Sequence, residues 1–162
     1  MLKRLFLSAF ALLMLCSCQA EEPDFTKTVT LANPFTNCAS LEEAEELSGI
    51  ELTLPEDLAA CEEIVYRAAN SEALQLLEVI IDWNGNDIRL RKSPGKEDNS
   101  GMYEEFAIAV ESTDGERGLV MKGDGDDLYR LAIWQDGEYS YSISCEEALA
   151  QETLCNWVYT TK

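Results

Sequence analysis

Leu77-Glu78-Val79-Ile80-Ile81-Asp82-Trp83-Asn84-Gly85-Asn86-Asp87-Ile88-Arg89-Leu90-Arg91-Lys92 is the stretch that decides the fold. Leu77, Val79 and Ile81 alternate with Glu78 and Ile80, and after the turn Ile88 and Leu90 return inward while Arg89 and Arg91 point out. Alternation with a period of two marks a strand that buries one face. Asn84-Gly85 between the two runs suits a type I′ turn, whose two central residues both need positive φ, and is a strong hairpin signal. The stretch is therefore read as an antiparallel pair of strands with one apolar face to cover.

The same period runs outward in both directions. Upstream, Ile64, Tyr66 and Ala68 alternate with Val65, Arg67 and Ala69. Downstream come Phe106, Ile108 and Val110, a turn at Thr113-Asp114-Gly115, a return over Leu119 to Met121, and a second turn from Gly123 to Asp127. Leu128 to Trp134, Asp136-Gly137 and Tyr139 to Ser144 supply two more strands, the last with Tyr139, Tyr141 and Ile143 on one face and serines on the other. These segments predict a long antiparallel meander.

Each end carries a helical period. Ser40 is placed to cap a helix, with Glu43 reaching back in a capping box, Leu41, Ala44 and Leu47 on one side and Ser48-Gly49 as the stop. Ile50 to Leu54 then reads as a short strand closed by Pro55. After Ser144, the residues Ala148, Leu149, Leu154, Trp157 and Val158 have roughly helical spacing. That helix begins either at Ser144, with Glu147 completing a capping box, or near Gln151. The expected class is α+β: a single curved antiparallel β-sheet of about seven or eight strands, with one helix near the N-terminus and one at the C-terminus covering its apolar face.

Lys3 and Arg4 precede an apolar run from Leu5 to Leu15, the grammar of a secretory signal. The run is too short for a bilayer span, which needs about 20 apolar residues. Leu15-Cys16-Ser17-Cys18 resembles the lipobox of bacterial lipoproteins, and the resemblance implies acylation of Cys18 and cleavage ahead of it. Cys16 fits less well, because the bulky Leu15 stands directly before it. Residues 1–17 are then a signal peptide, 18–32 a polar tether, and 33–162 a single domain. The chain is expected on the cell membrane through its lipid, facing outside the cytoplasm, and two acyl chains would hold it stably.

The precursor carries a net charge of -19, and without Lys3 and Arg4 the remaining 10 basic and 31 acidic side chains leave -21. Such a field repels nucleic acid and anionic lipid headgroups. A protein or small-molecule ligand is the partner class it leaves open. Four cysteines remain after processing, Cys38, Cys61, Cys145 and Cys155, and two disulfides are expected in an oxidising compartment. Counting allows three pairings, of which the local closures Cys38 with Cys61 and Cys145 with Cys155 are preferred. A continuous helix over 145–155 would hold its end Cα atoms about 15 Å apart, beyond the roughly 7 Å that a bridge allows. The second pairing therefore requires a break in the helix.

Asn33-Pro34-Phe35, the Ser40 to Gly49 helix, Asp87 to Lys92, the loop Gly95 to Tyr103, and Trp134-Gln135-Asp136-Gly137 with Tyr139 to Ser144 together resemble an uncharacterised domain family. It occurs in exported lipoproteins and anti-sigma-like membrane proteins of Gram-positive anaerobes. The resemblance implies a fold and a compartment and transfers no catalytic residue. Cys61, Cys145 and Cys155 depart from its pattern.

Asp87 to Tyr103 is the best candidate for binding, because Arg89, Arg91 and Lys92 form a basic cluster in an acidic chain and run into a polar loop carrying Asp98, Ser100 and Tyr103. Long ordered loops beside a rigid sheet often bind ligands, and arginine forks suit phosphate or carboxylate. The competing reading pairs the arginines with acids across the sheet. Asp124-Gly125-Asp126-Asp127 and Asp82 to Asp87 read as turns, since neither matches an EF-hand loop. With no histidine in the chain, Ser-His and Cys-His couples are absent, and no cofactor or metal is expected. Tyr139, Tyr141, Trp134 and Trp157 line either an apolar ligand pocket or the core itself. The expected function is a non-enzymatic binding or sensory module. A carrier of an apolar ligand is the alternative, and a carboxylate-based hydrolase ranks behind both.

Overall fold

The computed structural model describes Asn33–Lys162, apart from residues 115, 116 and 126. The signal, Cys18 and the tether lie outside the described residues. In chain order the elements are β1 (Thr36–Cys38), α1 (Leu41–Ser48), α2 (Glu56–Ala59), β2 (Ile64–Asn70), β3 (Gln75–Trp83), β4 (Asn86–Pro94), β5 (Ile108–Asp114), β6 (Arg117–Gly123), β7 (Leu128–Asp136), β8 (Tyr139–Ala150) and α3 (Gln151–Thr160). The strands form one antiparallel sheet of eight in the order β1-β2-β3-β4-β8-β7-β6-β5. This is the expected α+β class, with α1 near the N-terminus and α3 at the C-terminus. The meander comes in two halves, β1 to β4 and β5 to β8, which meet where β4 pairs with β8.

Asn84 and Gly85 sit at φ 58° and 81°, so the β3–β4 hairpin turns where the sequence says it should. Its register sets Leu77 opposite Lys92, Glu78 opposite Arg91 and Trp83 opposite Asn86. Asp82 stiffens the turn by accepting from Gly85 N through Oδ1 at 2.6 Å. The inward residues Leu77, Val79, Ile81, Ile88 and Leu90 are fully buried. They share one core with Ala44 of α1, Leu154, Trp157 and Val158 of α3, and Leu58 of α2. Each large aliphatic or aromatic side chain buried this way contributes roughly 1.5–3 kcal/mol.

Two local expectations change. Ile50 to Leu54 is not a strand: Ile50 N donates to Ser48 Oγ at 3.2 Å and Leu52 N to Glu45 Oε1 at 2.7 Å. Side-chain acceptors thus take the amides a neighbouring strand would have needed. Among the described residues, Thr53 alone of this run pairs backbone to backbone, exchanging bonds of 2.8 and 3.3 Å with Lys162. In the α1 cap, Ser40 Oγ accepts from Glu43 N at 3.2 Å as expected, but Glu43 Oε2 takes the amide of Ala39, not that of Ser40, at 2.5 Å.

The last helix takes the later of its two expected starts. Ser144 and Glu147 belong to β8, and α3 starts only at Gln151. The side chain of Asn86 explains why: it donates to Glu147 O at 3.0 Å and accepts from Glu147 N at 2.9 Å. An amide side chain here does the work of a strand backbone and keeps residues past Cys145 extended. β7 follows with a register shift between Tyr129 and Leu131.

Candidate functional site

β4 is central and β5 is the far edge, so segment 95–107 has to cross β8, β7 and β6. It crosses on the face opposite the helices, where Asn99 Nδ2 donates to Ser93 Oγ and to Ser140 O, both at 2.8 Å. Gln135 Nε2 donates to Lys96 O at 2.9 Å. Arg130 grips Glu104 with 3.2 Å contacts from Nη1 and Nη2.

This outer face is organised by a buried carboxylate. Glu78 is 0% exposed, and the register places Arg67 of β2 on one side of it and Arg91 of β4 on the other. Arg67 donates to Oε1 through Nε at 2.6 Å and also through Nη2. Arg91 Nε reaches Oε2 at 2.7 Å, and Arg89 Nε stands 3.5 Å from the same oxygen. A buried charge is tolerable only when paired and hydrogen-bonded, and Glu78 is paired three times. Phe35 lies against Arg67 and Arg91, with ring centroid distances of 4.8 and 5.9 Å. Arg91 then passes the order outward: Nη1 donates to Asn99 O at 2.9 Å and to Ser100 O at 2.6 Å. Gly101, at φ 68°, comes so close that a Cβ there would collide with Arg91 Nη1.

The residues singled out from the sequence are therefore dispersed. Arg89 and Arg91 share the outer face, but Lys92 points to the opposite one, because successive strand residues alternate. Lys92 is 7% exposed and donates to Glu51 O at 2.7 Å. Its ammonium lies 4.7 Å from the ring of Tyr139 and 5.0 Å from that of Tyr141, and burial lowers its pKa. Asp98 Oδ1 accepts from Ser100 N at 2.9 Å, and buried Ser100 accepts from Met102 N through Oγ at 3.2 Å. Tyr103 is 95% exposed. A cleft of about 390 Å³ brings Arg91, Asp98 and Tyr103 together with Phe35, Leu74 and Leu76. Arg89 lines a different cleft.

Trp134 and Trp157 are fully buried, Tyr141 nearly so, and Tyr139 packs at the margin of the same core. Trp134 stacks on Tyr141 with centroids 5.1 Å apart, and Trp157 meets Trp83 edge to face at 5.1 Å. Trp157 Nε1 donates to Asp57 Oδ2 at 2.7 Å, which ties α3 to α2. All four cysteines are thiols here. Cys38 Sγ lies 3.7 Å from Thr36 O, Cys61 Sγ 3.5 Å from Asp57 O, and Cys155 Sγ 3.9 Å from Met121 Sδ. Cys145 faces the core, and burial pushes its thiol pKa up to about 12. Among the described residues, no three Cys, Asp or Glu side chains are grouped to hold a metal ion.

Glu78, which organises this face, was not singled out by the alternation pattern. The signal was present: with the hairpin centred on Asn84-Gly85, an acid inside an apolar run must face Arg91. Comparison of the chain with protein-family models, curated proteins and solved structures finds no match.

Proposed function

We propose that the chain is a binding or interaction module, held by a lipid on Cys18 at the outer side of the cell membrane, that engages its partner through segment 95–107 and the cleft beside it. One observation carries this reading. Tyr103 is 95% exposed, yet the chain is clamped just before it by Arg91 on Ser100 and just after it by Arg130 on Glu104. An aromatic presented on an ordered support loses little conformational freedom when it binds, and tyrosine is a frequent anchor of interfaces. The adjoining cleft, with Phe35 and Leu76 beside Arg91, offers an apolar floor and a single fork for orientation. On export the four thiols pair, Cys38 with Cys61 and Cys145 with Cys155.

The test uses two variants of the full chain in its host. Cys18→Ala moves the protein out of the membrane fraction; retention there would overturn the anchor. A photo-crosslinking aromatic amino acid in place of Tyr103 forms discrete adducts that the same group at exposed Glu62 does not. Equal adducts at both positions, or none at either, would overturn the binding surface. Non-reducing peptide mapping of the exported protein reads the cysteine pairing directly.

A further inference from the structure

A second cleft, of about 310 Å³, lies on the outer face and is lined by Ile80, Asp87, Arg89, Met102, Arg130, Ser144 and Glu146. Its volume is at the low end of ligand pockets, which begin near ~300 Å³. Its charges are segregated along the strands. Ile80, Arg89 and Ser144 stand in one row across β3, β4 and β8. Asp87 and Glu146 each lie two residues farther along, toward the hairpin end, so the two rows are about 7 Å apart at ~3.4 Å per residue.

The positive row has unused capacity. Three guanidiniums meet at Glu78, one carboxylate against three cations. Arg89 is the loosest of them, with a side chain 45% exposed and only its Nε near Glu78. Among the described residues, its terminal nitrogens donate no hydrogen bond. Arg130 is already paired, with Glu104 through Nη1 and Nη2 and with Asp124 at 3.9 Å, so the free capacity of the row lies on Arg89. The negative row is equally unspent: Asp87 and Glu146 are exposed and form no ion pair among the described residues.

We propose that this cleft binds an α-amino acid as its zwitterion. The carboxylate sits on the terminal nitrogens of Arg89 with the Ser144 hydroxyl beside it, the ammonium faces Asp87 and Glu146, and an apolar side chain rests on Ile80 and Met102. An amino acid carries both charged groups on one carbon, and a hydrogen bond of ~3 Å on each side fits the spacing of the rows. A simple anion would face the two carboxylates, and a simple cation the two guanidiniums, so neither half suffices alone. The inference rests on reading the chain as a binding module, but it does not require the lipid anchor or Tyr103.

The test is calorimetric titration of the full chain in detergent with three probes: L-valine, 3-methylbutanoate, which lacks the amine, and isobutylamine, which lacks the carboxylate. Valine is expected to bind in the millimolar range or tighter, and each half-ligand at least about tenfold more weakly. Arg89→Gln and, at the exposed and separate position, Asp87→Asn each weaken valine at least about tenfold, whereas Glu62→Gln, at an exposed position outside both clefts, leaves it unchanged. No heat with valine, or a half-ligand that binds as well as valine, would overturn the proposal. So would undiminished valine binding by Asp87→Asn. Retention of Cys18→Ala in the membrane fraction, or absence of the Tyr103 adducts, with valine binding intact would overturn the functional reading above and leave this site standing.

Discussion

The two faces of the sheet are built by opposite means. The inner face is an apolar layer, interrupted by buried Lys92, in which Leu77, Val79, Ile88, Leu90 and Ile143 meet Leu154 and Trp157 from α3. The outer face holds one fully buried carboxylate, three arginines, the serines of β8 and a crossing loop. Apolar burial is non-directional and tolerates small shifts, whereas hydrogen-bonded charges require geometry. The inner face accordingly supplies most of the stability. The outer face fixes where the loop lies and what it presents.

The largest effect expected is on the inner side. Trp157→Ala removes a fully buried indole and should lower stability by about 4 kcal/mol, read as a fall in the denaturant midpoint. A loss under about 1 kcal/mol would mean that α3 is not part of the core. The same face predicts an alkaline limit. Burial raises the Cys145 thiol from 9.0 to about 12, so its contribution is complete below pH 9 and is lost as pH rises toward 12. Three pH units correspond to about 4 kcal/mol at ~1.4 per unit. With reductant present, Cys145→Ala should flatten that decline relative to the parent chain. Comparison of the two cancels Lys92, whose lowered pKa acts in the opposite sense, and Tyr141, whose raised pKa acts in the same sense.

On the outer side the expected effects are smaller. Gly101→Ala puts a methyl group against Arg91 Nη1 at a backbone φ of 68° and should cost about 1–2 kcal/mol. The change should concentrate in segment 95–107, and uniform destabilisation would contradict the division between the faces.

The inner face was legible because alternation and the Asn84-Gly85 turn report directly on backbone geometry. What escaped depended on side chains acting as backbone. Asn86 keeps residues 145–150 extended by holding Glu147 at both its amide and its carbonyl, which decides for the later of the two helix starts that the spacing after Ser144 left open. Glu45 and Ser48 took the amides of Leu52 and Ile50, so an apolar run expected as a strand became a tie to the chain end. The strand order escaped as well, since nothing in the composition of residues 95–107 says that they cross the sheet. The candidate site divided along the same line. From the sequence, Arg89 and Arg91 could be available to a ligand or paired with acids across the sheet, and the register decides for pairing, both on Glu78.

Hydrogen exchange on Glu78→Gln tests the central claim, that one buried carboxylate positions the loop. The substitution keeps the shape and removes the charge. The account predicts that the amides of Ser100 and Met102 lose protection together while those of Val79, Leu90 and Ile143 keep theirs. Unchanged protection at Ser100 and Met102, or equal loss across both faces, would contradict it.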